Sequence, residues 1–278
     1  MGDMEKFSIK RVKNSQEIQP VFSRCDAKTW ALFDVDDTLI TPKDVFFRPL
    51  YGKNPYKNFF DEYKKDVASD KISAEQRAEF DRIVSTFRMQ HESMLTDENW
   101  PQILHALRKQ GSYVFALTMM DTGPFGKISS MEEWRYQRLH DLGLAFTPIL
   151  PGHTDYKMLG TPASHLQSTQ QGAGVFYKGI MMTGRVGKGV TLEQAIRYSS
   201  HKPSFILFVD DREEMVEDVG HLCKRLGVDY TGIIYEGASE VPGKPVESIV
   251  ACQKHELIHN DRWLSDAQAQ KLLKEKAS

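Results

Sequence analysis

Short apolar runs alternate with amphipathic helical patterns along most of this chain. Each run is continuously apolar and is bounded by polar or glycine-containing turns, which is typical of strands buried on both faces of a parallel sheet. The four clearest runs are residues 30–33, 113–117, 205–209 and 233–235. They predict four strands of one buried sheet.

Helical patterns fill the gaps between these runs. Apolar residues recur at helical spacing in 100–107 and in 215–222. A Ser or Thr followed three residues later by Glu or Gln marks two more helix starts, at Ser130 and Thr191. The alternation of strand and helix predicts the α/β fold class, with a Rossmann-like, doubly wound parallel sheet.

Residues 42–96 interrupt this alternation because they contain two helical patterns and no convincing buried strand. We interpret them as a small helical cap inserted after the first strand, with 1–41 and 97–278 forming the core domain. The first helical pattern carries aromatic residues on one face: Tyr56, Phe59, Phe60 and Tyr63. Aromatic residues at this spacing are more often core than ligand contacts, and both interpretations stay open.

Composition and charge narrow the functional class. The chain has 278 residues, of which 40% are hydrophobic and 27% charged, so it is long and apolar enough for a closed core and is not disordered throughout. Its 36 basic and 38 acidic residues give a formal net charge of -2. Without a positive field there is no general attraction to polyanions, so we expect no nucleic acid partner.

The cysteines and the longer apolar stretches bear on the compartment. Cys25, Cys223 and Cys252 are odd in number and far apart, which favours reduced thiols over a disulfide framework. No apolar window approaches the ~18 residues of a membrane span, and the N-terminus lacks the apolar segment of a Sec signal peptide. We therefore predict a cytoplasmic protein without a membrane span, and delivery by another secretion route stays open.

The strongest chemical signal follows the first apolar run, in the sequence Asp34-Val35-Asp36-Asp37-Thr38-Leu39. Three carboxylates at the end of a buried strand repel one another, and a bound divalent cation relieves this repulsion. Mg²⁺ suits a site of a few carboxylates and water, so it is the predicted cofactor. The alternative is an ordinary Asp-rich turn.

Three further polar features lie at comparable places. Thr118 follows the second run, and Asp210 and Asp211 follow the third. Ligands of open parallel sheets bind beyond the carboxyl ends of the strands, so these residues are expected to meet in one crevice. Lys188 lies near a predicted helix start, where a cation is unfavourable for the helix, and this indicates a nearby anion.

In this order, the four features resemble the four motifs of the haloacid dehalogenase-like superfamily. The resemblance spans roughly residues 29–236 and covers Asp-x-Asp-x-Thr after the first strand, a Thr after the second, a Lys before a helix and Asp-Asp after a later strand. It implies the fold of that family and phosphoryl-transfer chemistry. One departure is Met119-Met120 after Thr118, where many members have a small and a basic residue.

The resemblance also implies roles for the matched residues. Asp34 would be the nucleophile that forms an aspartyl-phosphate, and Asp36 the general acid and then the base. Thr118 and Lys188 would bind the phosphate, and Mg²⁺ would be held by the Asp34 carboxylate, the Asp36 backbone carbonyl and Asp211. The supporting residues would be Asp210 and Thr38.

Two assignments stay open within this scheme. Lys178 competes with Lys188 for the lysine motif, although it lies in what looks like an extended segment, 175–180. Either member of the Asp210-Asp211 pair could be the direct metal ligand, with Asp211 preferred.

The functional prediction is a Mg²⁺-dependent phosphatase that hydrolyses a phosphomonoester, because an acid at Asp36 distinguishes phosphatases and phosphomutases from other members. The substrate is a phosphorylated small molecule or a phosphoprotein. A weaker resemblance outside the motifs, to family members from bacteria that live inside host cells, leaves a protein (tyrosine) phosphatase effector as an alternative. A second alternative is a catalytically silent binding or scaffold protein that keeps the fold.

Overall fold

The chain forms a mixed α/β structure in which most of the central sheet is parallel. The computed structural model describes residues 6–60, 73–153, 155–160, 173–184 and 186–277. Its strands are β1 Phe7–Val12, β2 Thr29–Phe33, β3 Ile40–Pro42, β4 Ser93–Leu95, β5 Tyr113–Thr118, β6 Tyr156–Gly160, β7 Gly174–Tyr177, β8 Ile180–Met182, β9 Phe205–Asp210 and β10 Asp229–Tyr235.

Helices connect these strands and follow the last one. The α-helices are α1 Gln19–Phe22, α2 Ala74–Gln90, α3 Trp100–Lys109, α4 Met131–Asp141, α5 Lys188–Tyr198, α6 Glu213–Leu226, α7 Gly237–Glu240, α8 Glu247–Asn260 and α9 Asp266–Ala277. Short 3₁₀ helices span Ser15–Ile18, Val45–Phe47 and Leu50–Gly52. Within the described part of the chain, no helix combines the length and apolar character that a membrane crossing requires.

The eight-stranded sheet has the order β1-β10-β9-β2-β5-β8-β7-β6. The strands from β1 to β8 in this order pair in parallel, and β7 and β6 add an antiparallel edge. β2 lies between β9 and β5, so Phe33 is opposite Val209 on one side and Ala116 on the other. The four predicted strands are confirmed as β2, β5, β9 and β10.

Among the remaining strands, β7 overlaps the extended segment expected at 175–180, whereas β1 and one helix start differ from the sequence prediction. β1 is an edge strand whose middle residues are exposed, so it lacks the apolar run that marks a buried strand. The helix predicted to begin at Thr191 begins instead at Lys188, after Gly187, whose positive φ of 95° suits glycine. Thr191 lies in the first turn, where its hydroxyl donates to the Gly187 carbonyl at 2.7 Å.

The contacts divide the chain into two compact units. Unit 1 comprises Met1–Ile40, Leu95–Gly123 and Ser130–Gly237, and it contains the long parallel strands. Unit 2 comprises Thr41–Met94, Pro124–Ser129 and Ala238–Ser278. The core domain predicted from the sequence comprises 1–41 and 97–278 and the cap 42–96, whereas by contacts residues 124–129 and 238–278 group with the cap segment.

An aromatic cluster explains the extent of unit 2. Phe46, Ile83 and Phe87 pack with Val250, Leu257 and Trp263, so side chains from α8 and from the loop after it complete the core of the predicted insertion. Tyr56, Phe59 and Phe60 pack against this cluster, which supports their interpretation as core residues. Tyr63 lies outside the described residues.

Phe46 provides a test of this cluster. Its side chain is only 1% exposed. We expect Phe46→Ala to lower the free energy of unfolding by about 3–5 kcal/mol. Removal of the ring creates a cavity that the surrounding aromatic residues fill only in part. Urea denaturation with the exposed Met89→Ala as control measures this, since a surface change costs within about 0.5 kcal/mol. Equal losses in the two variants would contradict the packing described here.

Candidate active site

Three neighbouring parallel strands end at the residues that the sequence analysis singles out. Asp34 directly follows β2, Asp210 is the last residue of β9, and Thr118 is the last residue of β5. The Asp34 amide donates to the Val209 carbonyl at 2.8 Å, which extends the pairing of β2 with β9 and sets Asp34 beside Asp210. The convergence expected from a parallel sheet therefore occurs for these two aspartates.

Lys188 joins the two carboxylates into a buried ion cluster. Its Nζ lies 2.5 Å from Asp34 Oδ1 and 2.5 Å from Asp210 Oδ2. The three side chains are 2%, 9% and 0% exposed, in the order Lys188, Asp34, Asp210. The cation lies in the first turn of α5, so the nearby anions inferred from its position in the sequence are these aspartates.

Burial and mutual charge set the protonation of this cluster. Burial raises the pKa of Asp34, and the Asp36 charge adds to this, while Lys188 acts in the opposite direction. Burial and the Asp34 charge raise the pKa of Asp210 to about 7, although Lys188 again opposes the shift. Burial alone lowers the pKa of Lys188, but the two carboxylates outweigh it and the net pKa is raised, so Lys188 stays charged.

Thr38 connects the first strand end to the Asp210-Asp211 segment. The amides of Leu39 and Ile40 both donate to the Val35 carbonyl at 3.0 Å, so the chain turns tightly after Asp34. Thr38 Oγ1 then donates to Asp34 Oδ2 at 3.4 Å and accepts from the Asp211 amide at 3.0 Å. The residue therefore stabilises the relative positions of both acidic segments.

Asp34, Asp210 and Asp211 have the donor set of a divalent cation site. One carboxylate oxygen from each lies within 4.8 Å of the others, and no other such acidic, histidine or cysteine group is found among the described residues. Oxygen ligands suit Mg²⁺. Asp210 uses one oxygen for Lys188 and the other for the Arg212 amide at 2.9 Å, and the preference for Asp211 as the direct metal ligand stays a prediction.

Asp36 occupies a different environment from Asp34. Its side chain is 58% exposed, and both carboxylate oxygens accept hydrogen bonds from Arg135, at 3.0 and 2.7 Å. Arg135 lies on α4 and cannot be predicted as a partner of Asp36 from the sequence. The two residues are almost a hundred positions apart, so no local pattern indicates their contact. The cap at Ser130 predicts this helix, but nothing in the sequence predicts the direction of its side chains.

Thr118 and Lys178 complete the set of predicted residues. Thr118 is 1% exposed at the end of β5, and none of its described contacts reaches Asp34 or Lys188. Lys178 lies between β7 and β8, and its Nζ is 3.4 Å from Glu133. Of the two competing lysines, Lys188 is therefore the one that contacts Asp34.

Sequence relatives cover nearly the whole chain. An uncharacterized protein of Rickettsia prowazekii (strain Madrid E) is 27% identical over 260 residues, which are 94% of this chain and 88% of the relative. A putative outer membrane protein of Chlamydia trachomatis is 20% identical over 259 residues, 90% of this chain and 86% of the relative. No solved structure gives a significant match.

A family model also matches most of the chain. It is described as a protein of unknown function, DUF2608, and it matches residues 11–270. The matched range includes Asp34, Arg135, Lys188 and Asp211, and therefore the whole cluster described above. The chain belongs to the DUF2608 family.

Proposed function

We propose that this protein is a Mg²⁺-dependent phosphatase of the haloacid dehalogenase type, with Asp34 as its nucleophile. The observation that carries the proposal is the contact of Lys188 with both Asp34 and Asp210, with Asp211 close by, at the carboxyl ends of neighbouring parallel strands. A buried lysine between two carboxylates can offset the charge of an incoming phosphate, which a purely structural turn does not require.

The proposed reaction has two steps. In the first, an Asp34 oxygen bonds to phosphorus, the ester P–O bond breaks, and Asp36 gives a proton to the leaving oxygen. In the second, Asp36 takes a proton from water, the water oxygen bonds to phosphorus, and the bond from phosphorus to Asp34 breaks. The exposed fraction of Asp36, 58%, is compatible with access to both water and a leaving group.

The other residues act on charge and position. Lys188 offsets negative charge on Asp34 and the phosphoryl group, and Thr118 would donate a hydrogen bond to a phosphoryl oxygen. Asp34, the Asp36 backbone carbonyl and Asp211 would hold Mg²⁺, which neutralises charge on the phosphoryl oxygens when it is bound. Asp210 and Thr38 maintain the positions of Lys188 and Asp34.

Release of phosphate from p-nitrophenyl phosphate tests the proposal. We expect turnover with Mg²⁺ and none after chelation with EDTA, restored by added Mg²⁺. The absence of turnover from p-nitrophenyl phosphate and from a panel of phosphorylated metabolites and phosphotyrosine peptides would favour the silent binding protein. The same panel decides between a small-molecule phosphatase and a protein phosphatase.

Metal binding is expected to stabilise the fold. A ligand that binds only the native state adds RT ln(1 + [L]/Kd), or about 2.7 kcal/mol at 100 times Kd. We therefore expect the thermal midpoint to rise with Mg²⁺, and Asp211→Asn to abolish the rise. The matched control is Asp141→Asn, at an exposed position on α4, which should keep the rise. A wild-type midpoint that is indifferent to millimolar Mg²⁺ would contradict the shared metal site.

We also propose a cytoplasmic location. The support is that Cys25, Cys223 and Cys252 are all free and buried, as expected where thiols stay reduced. The Chlamydia trachomatis relative is named a putative outer membrane protein, so the outer membrane is the competing location. Fractionation of the source cells decides between them, and recovery in the membrane fraction would contradict the proposal.

A further inference from the structure

Arg135 is a nearly buried cation whose charged end lies at the exposed carboxylate of Asp36. The side chain of Arg135 is 7% exposed, against 58% for Asp36. Its Nη1 and Nη2 atoms donate to the two oxygens of Asp36, at 3.0 and 2.7 Å. Two parallel hydrogen bonds from a planar guanidinium restrain both the place and the plane of a carboxylate, which a single bond does not.

The guanidinium of Arg135 has further contacts, to Met120 and Trp134, that fix its position. Arg135 Nε donates to Met120 Sδ at 3.4 Å, and the guanidinium carbon lies 5.0 Å from the centre of the Trp134 ring. Helix α4, which carries Arg135, contacts the segment after β5, because Glu132 Oε1 accepts a hydrogen bond from the Gly123 amide at 2.7 Å. Arg135 is therefore the more buried partner of the pair, with contacts of its own that hold the guanidinium in place.

We infer that Arg135 is a positioning residue that holds the Asp36 carboxyl in the place where it exchanges protons with the leaving group and with water. The inference rests on the proposed function and adds to it a residue outside the four motifs. An exposed aspartate has several side-chain rotamers, and proton transfer requires one of them. Arg135 selects that rotamer without contacting the reacting phosphorus.

The leaving group provides a readout that a purely structural role would not move. In the first step the P–O bond to the leaving oxygen breaks as Asp36 delivers its proton there. Phenolate needs this proton much more than p-nitrophenolate does. Arg135→Met should therefore lower kcat/KM by about 10²-fold for phenyl phosphate and by less than about tenfold for p-nitrophenyl phosphate. Arg135→Lys keeps the positive charge but not the two parallel hydrogen bonds, so its kcat/KM for phenyl phosphate should lie between those of the wild type and Arg135→Met.

A double-mutant cycle shows whether Arg135 acts through Asp36. On p-nitrophenyl phosphate, Asp36→Asn together with Arg135→Met should have the kcat of Asp36→Asn alone. Arg138→Met is the control, because Arg138 lies on the same helix and contacts the same Trp134 ring, at 5.9 Å. It should keep wild-type kinetics. Additive losses, or a raised KM with an unchanged kcat, would show instead that Arg135 binds the substrate and would overturn the inference.

A measurement without turnover separates this inference from the proposed function. In ¹⁵N NMR, the side-chain Nη–H signals of Arg135, whose protons donate to Asp36, should be protected from solvent exchange in wild-type protein and should shift and exchange faster in Asp36→Asn. An unchanged signal would overturn the inference whatever the activity. If Asp34→Asn keeps full phosphatase activity while the Arg135 signal responds, the pairing stands and the proposed mechanism fails.

Discussion

Asp34→Asn is expected to lower Mg²⁺-dependent phosphate release by a factor on the order of 10³ or more, with the fold intact. The amide keeps the shape of the carboxylate but is not a nucleophile toward phosphorus. It can still accept a hydrogen bond from Lys188, which keeps its second partner, Asp210. The change also removes a buried charge, so no large loss of stability is expected.

Initial rates with p-nitrophenyl phosphate, compared at equal folded concentration, measure this effect. Asp141→Asn makes the same chemical change at an exposed site and is expected to keep the wild-type rate. An Asp34→Asn variant that retains a tenth of the activity would exclude Asp34 as the nucleophile.

Lys188→Met is expected to have the second largest effect, a loss on the order of 10² in rate. The buried cation that faces both Asp34 and Asp210 is replaced by an apolar side chain of similar length. Lys178→Met is the matched control, because Lys178 pairs with Glu133 rather than with the cluster. Lys178→Met should change the rate little. A larger loss in Lys178→Met than in Lys188→Met would identify Lys178 as the phosphate-binding lysine.

Lys188→Met is also expected to lower the free energy of unfolding, by an amount that depends on pH. Removing one partner from a buried ion cluster typically costs about 3–5 kcal/mol. Lys188 lowers the pKa of both aspartates, so its loss raises their folded-state pKa further, beyond the value of about 7 for Asp210. An acid whose folded pKa exceeds its unfolded pKa binds its proton more tightly in the native state, so stability rises as pH falls through the folded pKa.

Urea denaturation in EDTA tests the sign of this effect. The stability difference between wild type and Lys188→Met should be larger near about pH 8 than near about pH 5, because the carboxyls of the variant become protonated at the lower pH. A difference that is independent of pH, or larger at the lower pH, would contradict the assignment of two buried acids to this cluster.

The parts of the molecule that can be predicted from the sequence are those whose signals are local. β2 and β9 are buried throughout and β5 is buried after its first residue, so their apolar runs identify them. Asp34, Asp210 and Thr118 were found because each lies at the end of such a run and parallel strands end at a common edge. Lys188 is predicted because a lysine near a helix start indicates a nearby anion, although the predicted start, Thr191, lies three residues after the observed one.

The missed features depend on contacts between distant segments. The half-exposed β1 is defined by its pairing with β10 and not by its own pattern. Trp263 belongs to the aromatic core around Phe46, and nothing in its own neighbourhood in the sequence indicates this. Arg135 is a similar case, since its helix was predicted but its contact with Asp36 exists only in the folded chain.

The central claim is that Asp34 carries the phosphoryl group, and trapping of that intermediate tests it most directly. Asp36→Asn, acid-quenched during reaction with p-nitrophenyl phosphate and reduced with borohydride, should yield homoserine at Asp34 in peptide mass spectra, because borohydride reduces an acyl phosphate. The good leaving group lets the first step proceed, and loss of the base slows the second. We expect homoserine at Asp34 only with substrate and Mg²⁺. Phosphatase turnover by the wild type without any reduced Asp34 in the variant, or reduction at another carboxylate, would contradict the account.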